Sequence, residues 1–155
     1  MTLKDTIKAI EWVASTQPSL RMIVRNDIFR LNKCMEARYG AFGWLQNQHT
    51  ASSDSSLMTF AFTFFYVDRL TNDRSNEIDI QSVGISTLDN IIKRLDDLGL
   101  FSSQPYSFQS FNQRFVDECA GVFCNVYLEV PVDAICSETF ADYNDDFNDD
   151  FLIIG

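Results

Sequence analysis

From Leu57 to Val67 the chain alternates without a break. Met58, Phe60, Phe62, Phe64 and Tyr66 fall on one side; Leu57, Thr59, Ala61, Thr63, Phe65 and Val67 fall on the other. A strict period of two over this length defines a β-strand and excludes a helix. Each buried ring removes on the order of 150–250 Å² from water, so a row of aromatics cannot be left bare. The row Phe60, Phe62, Phe64 and Tyr66 is therefore expected in a core or at a contact with another chain. A second long strand is expected over Ala120–Pro131. Val122, Cys124, Val126, Leu128 and Val130 share one side of it, and Phe123, Asn125, Tyr127 and Glu129 the other.

Around these strands the punctuation is regular. Thr2 followed by Asp5 resembles a capping box. Leu3, Ile7, Ile10 and Ala14 then recur at helical spacing, predicting a helix over 3–16 that Pro18 stops. A strand is expected near Arg21–Arg25, and another over Tyr39–Asn47, where Gly40 and Gly43 point to a bulge or a close backbone approach. Residues 49–56 are polar and small, a loop. Asn76 is placed to cap a long helix over 77–98, with Glu77 and Asp79 in its first turn, Ile78, Ile85, Leu88, Ile92 and Leu95 on one face, and Gly99 just beyond its end. Pro105 opens an extended stretch in which Tyr106 and Phe108 alternate before Phe111 and Phe115 shift phase. Asp117-Glu118 suits a hairpin corner. The expected fold class is α+β: a mostly antiparallel sheet with an N-terminal helix and one long helix packed on one face. Residues 1–137 form one domain, and 138–155 an acidic C-terminal arm.

The arm follows from the charge. Up to Arg114 there are 12 Lys/Arg and 12 Asp/Glu; beyond it there are 10 Asp/Glu and no basic residue, which accounts for the net charge of -10. Phe140, Tyr143, Phe147 and Phe151 recur there at near-helical spacing, and Leu152 and Ile153 follow. Such a segment docks on a partner as a helix or an added strand. Phe140, Tyr143, Phe147, Phe151, Leu152 and Ile153 are thus the expected partner-binding residues. Scattered basic residues argue against nucleic-acid wrapping. No apolar run is long enough for a membrane span, and the first residues show no apolar signal core, so secretion by that route is not expected.

Little in the sequence points to chemistry. The single His49 has no Cys or His at metal-ligand spacing, and G-x-S-x-G, G-x-x-x-x-G-K and G-x-G-x-x-G are all missing. Cys34, Cys119, Cys124 and Cys136 form no C-x-x-C pair and are expected as reduced thiols, Cys124 and Cys136 as small core residues. Asp68, Asp73, Glu77 and Asp79 are the one carboxylate group that could hold Mg²⁺ for phosphodiester cleavage. Turn and helix-start positions explain them equally well. Asp142, Asn144 and Asp146 mimic the start of a calcium loop, but Phe147 and Ile153 stand where Gly and Glu are needed. No cofactor is expected.

Three stretches carry a resemblance: Phe42-Gly-Trp-Leu-Gln-Asn-Gln-His49; Phe65-Tyr-Val-Asp-Arg-Leu-Thr-Asn-Asp-Arg-Ser-Asn-Glu77 with Ile80-Gln-Ser-Val-Gly84; and Phe115-Val-Asp-Glu-Cys-Ala-Gly-Val122. Over 38–136 the chain resembles small neck or tail virion proteins of tailed phages of Bacteroidetes-type hosts, including crAss-like phages. Their general shape is similar to tail-terminator or tail-completion proteins. The resemblance implies a non-enzymatic homo-oligomeric ring of 6 or 12 copies at the head–tail junction, made in the host cytoplasm and built into the virion. It implies contact with neighbouring neck or tail rings or portal-adaptor proteins, with DNA only passing through. Two alternatives from the residues alone are a metal-dependent nuclease using Asp68, Glu77 and Asp79, and a monomeric adaptor that binds a partner through its acidic arm.

Overall fold

A computed structural model describes residues 2–28, 31, 39–51, 56–114, 117–131 and 152–154. The expected arm anchors Phe140, Tyr143, Phe147 and Phe151, the calcium-loop mimic, Cys34 and Cys136 lie outside them.

The fold is α+β. Its helices are α1 (Leu3–Ser15) and α2 (Glu77–Asp97); its strands are β1 (Met22–Arg25), β2 (Ala41–Gln46), β3 (Thr50–Ala51), β4 (Leu57–Arg69), β5 (Phe101–Ser102), β6 (Gln109–Arg114), β7 (Glu118–Pro131) and β8 (Leu152–Ile154). They join in one 8-stranded sheet ordered β5-β7-β4-β2-β1-β8, with β3 on β4 and β6 on β7. The pairs β2–β4, β3–β4, β4–β7, β5–β7 and β6–β7 are antiparallel, whereas β1–β2 and β1–β8 are parallel. The sheet is thus mixed, its parallel part confined to one side.

The spine is the β4–β7 ladder, unbroken from Leu57↔Pro131 to Arg69↔Cys119. Its even-numbered residues meet the helices. Phe60, Phe62, Phe64 and Tyr66 of β4 and Val122, Cys124, Val126, Leu128 and Val130 of β7 join Ala9, Ile10 and Val13 of α1 and Leu88, Ile91, Ile92 and Leu95 of α2 in the main core. Met22, Val24, Leu31, Ala41, Phe65, Val67 and Cys119 form a smaller cluster on the far face, and it contains no residue of α1 or α2.

Thr2 Oγ1 accepts from Asp5 N at 3.1 Å and Thr2 N donates to Asp5 Oδ2 at 3.0 Å, completing the capping box of α1. At α2 the structure corrects the sequence reading. Ile78 is 70% exposed and Ile85 39%, and the buried stripe runs through Ile80, Gly84, Thr87, Leu88, Ile91, Ile92 and Leu95. The cause is Gly84: a Cβ there would lie 2.7 Å from Val122 Cγ2 and 2.8 Å from Tyr66 Cδ1. The helix turns its glycine to the sheet and comes closer than an isoleucine would allow. Asn76 precedes α2 but makes no side-chain cap bond; its Oδ1 accepts from Thr71 N at 2.9 Å and its Nδ2 donates to Arg69 O at 3.1 Å, closing the preceding turn instead.

Gly43 needs no bulge, because β2 keeps regular register on β4. Its bareness admits the Phe65 ring, which would stand 1.9 Å from a Cβ. Within the expected loop 49–56, Thr50 and Ala51 pair with β4. The change of phase after Phe108 is a change of face: Tyr106 and Phe108 pack on the main core and Phe111 on the smaller cluster. β6 pairs antiparallel with β7, with Arg114 opposite Glu118, so Glu118 of the expected corner already belongs to β7.

Candidate functional site

The residues singled out from sequence separate into three places. Phe60, Phe62, Phe64 and Tyr66 are buried under the helices. Phe64 meets Phe42 edge-on at 5.3 Å between centroids, and Phe62 meets Trp44 at 6.2 Å. Of the two possibilities for this row, it is core. Leu152 and Ile153 lie on β8, in register with Met22 and Ile23 of β1. Ile153 packs on the main core, whereas Leu152 and Ile154 pack on the smaller cluster. The end of the acidic segment is therefore an added strand at the sheet margin.

The carboxylate group does not converge. Asp68 accepts from Tyr66 Oη at 3.2 Å and from Arg69 N at 2.7 Å. Asp73 Oδ1 accepts from Thr71 Oγ1, Ser75 N and Ser75 Oγ, and these bonds, Thr71 first, hold its carboxyl below the usual range. Among the described residues no three His, Cys, Asp or Glu side chains come together to hold a metal ion. Asp68, Glu77 and Asp79 thus lack the geometry that the nuclease alternative requires. Their positions follow from turn closure and the start of α2.

His49 closes one end of the core. Its ring stands edge-on to Phe60 at 5.2 Å, Ala61 N donates to Nδ1 at 3.2 Å, and Nε2 lies 3.3 Å from Gln46 Oε1. Because Nδ1 accepts, the neutral ring carries its proton on Nε2 and donates to Gln46. The buried thiols of Cys119 and Cys124 are pushed up to about 11 and about 12, burial being the largest cause in each, so neither supplies a thiolate at neutral pH.

Three polar arrangements escaped the sequence reading. Glu11 is buried beneath α1, where Arg25 grips both its oxygens at 2.6 and 2.7 Å and Trp44 Nε1 donates at 3.1 Å. Its position between Ile7 and Ala14 on the apolar stripe was the available signal. On α2, Asp89 accepts from Lys93 Nζ at 2.6 Å and Tyr106 Oη at 2.7 Å, which fastens the stretch before β6 to the helix. On the sheet face away from the helices, Asn47 Nδ2 donates to Thr63 Oγ1 at 2.9 Å and Thr63 Oγ1 donates to Asn125 Oδ1 at 2.8 Å. This row borders an open cleft of about 400 Å³ lined by Asn47, Gln48, Thr50, Ala61, Asn125 and Tyr127. Neutral amides and hydroxyls of this kind suit a polar protein surface.

The remaining feature is what the sheet and α2 leave outside. Phe101 on β5 is 53% exposed, and Ile78, Val83 and Ile85 are exposed on α2. The two sheet margins differ: β5 and β6 border one, β8 the other. No helix among the described residues is long and apolar enough to cross a membrane. Comparison with protein-family models and with curated proteins yields no match.

Proposed function

We propose that this chain is a structural virion protein of a tailed phage, assembled as a homo-oligomeric ring of six or twelve copies at the head–tail junction or upper tail. The observation that carries the reading is the pair of unlike sheet margins, the two-residue β5 with exposed Phe101 and the three-residue β8. A ring needs two different surfaces that meet head to tail, and unlike margins offer such a pair. The likeness of three sequence stretches to phage neck and tail proteins supports the same reading. The protein then performs no chemistry. Its work is geometric: it tiles a circle, joins neighbouring neck or tail rings or portal-adaptor proteins, and keeps a passage for DNA. The net charge of -10 is compatible with DNA sliding past without adhering, since like charges repel.

Electron microscopy of the purified full chain at high concentration tests this. Rings with a central opening are expected. Isolated particles of single-chain size would favour the monomeric adaptor, whose acidic segment binds one partner.

A further inference from the structure

The strand β8 is joined to the rest of the domain in an unusual way. It follows β7 in the chain, yet in the sheet it lies four strands away, across β4, β2 and β1. That separation is about 19 Å at 4.8 Å per strand. Along the strands, Pro131 is level with Leu57, whereas Leu152 is level with Met22, Ala41 and therefore Val67. Ten residues of β4 separate these rows, about 33 Å at 3.3 Å each. Pro131 and Leu152 thus stand at diagonally opposite places on the sheet, about 40 Å apart in a flat approximation.

The chain between them is long enough to go elsewhere. Twenty-one steps (152 minus 131) reach about 70 Å when extended. Residues 132–151 include Asp133, Glu138 and five further Asp, with no Lys or Arg. The extended reach exceeds the distance to be covered, so the length of chain permits Leu152–Ile154 to seat on β1 of the same copy or of a neighbouring one. The seat itself is specific. β1 offers an in-register parallel edge, and alternate residues of β8 enter the two cores. Any copy's Leu152–Ile154 satisfies it equally.

We infer that β8 is exchanged: Leu152–Ile154 of one copy adds to β1 of the next, each chain donating one strand and receiving one. This rests on the ring reading and names the contact that closes the ring. Donor and acceptor are different surfaces, so the exchange propagates head to tail, as a ring requires. The bonds within the seat are the same in both forms, so the balance between them is set by chain concentration and by the other contacts of the ring.

The test uses the full chain in light and 15N-labelled forms, both carrying photo-leucine at leucine positions. The two are unfolded, mixed, refolded together and irradiated, and the mass of the assembly is read by light scattering. Cross-links from the peptide carrying Leu152 to the β1 peptide are then sorted by isotope. Exchange predicts light–heavy pairs as often as same-isotope pairs. Same-isotope pairs alone in an oligomeric sample would overturn the exchange and leave the ring standing. Same-isotope pairs in a monomeric sample would overturn both, and no cross-link between these peptides would overturn the exchange.

Discussion

Glu11 is the buried partner of an ion pair, with 3% of its side chain exposed against 38% for Arg25. Helix α1 is amphipathic with one carboxylate on its apolar side, and the cost of burying that charge is offset only by the two bonds from Arg25 and the one from Trp44. Glu11→Ala leaves Trp44 Nε1 unpaired in the interior, while Arg25 can rehydrate through its exposed side. The loss should be about 2 kcal/mol, in the range for an orphaned buried donor, read as a lowered urea midpoint. Glu11→Gln should recover part of it by keeping an acceptor for Trp44. Gly84 sets two effects against each other. Alanine is favoured over glycine in a helix by about 1 kcal/mol, but overpacking a filled core costs about 1–3 kcal/mol. With Val122 and Tyr66 both inside 3 Å of the added carbon, overpacking wins. Gly84→Ala should be net destabilising, measured by thermal unfolding, and a gain in melting temperature would refute the close approach of α2.

Among the elements, the stretch between β5 and β6 is held from outside the ladder. Tyr106 donates to Asp89 on α2, and Lys93, four residues along, donates to the same carboxylate. Burial, then the Asp89 contact, pushes the Tyr106 hydroxyl up to about 12 from 10.0. Burial is also the first cause of the raised Tyr39, Tyr66, Cys119 and Cys124. A folded pKa above the unfolded one means stability that is complete below the unfolded value and lost as pH rises. Unfolding free energy should therefore hold to about pH 9 and fall steadily above it. Tyr106→Phe should cost about 1 kcal/mol at pH 7 and make the alkaline loss shallower, as measured by denaturant titrations between pH 7 and 11. Asp89 acts in the opposite sense. The Lys93 bond, helped by that from Tyr106 and opposed by burial, holds its carboxyl low, so its contribution is lost in acid. Legibility at this scale depended on length. Strands β4 and β7 and both helices announced themselves through period, because many residues vote on one phase. The rotation of α2 did not, since Ile78 and Ile85 fit a helical stripe as well as Ile80 and Leu88 do, and only contact at Gly84 decides between them. Strand β8 is three residues long and carries no period.

At the scale of the whole molecule, the sheet joins two regimes. Its antiparallel centre is built from neighbours in sequence or one helix apart, and alternation made that layout readable. Its parallel margin joins β1 and β2, consecutive in the chain, to β8 from far along it. Nothing in the residues of β1 reveals that its other edge will be filled by the end of the chain. The same limit applies to the polar row Asn47, Thr63 and Asn125, whose members become neighbours only through the registers of β4 with β2 and β7. The acidic segment was expected to dock as a helix or an added strand; of it the structure describes Leu152–Ile154, which pair with the edge of β1. Whether that edge belongs to the same copy is the matter for strand exchange; whether copies assemble at all is the more basic one. Native mass spectrometry of the purified full chain across a concentration series addresses it directly. A species at six or twelve times the 17.8 kDa chain mass is expected, gaining population as concentration rises. A single 17.8 kDa species at every concentration would contradict it.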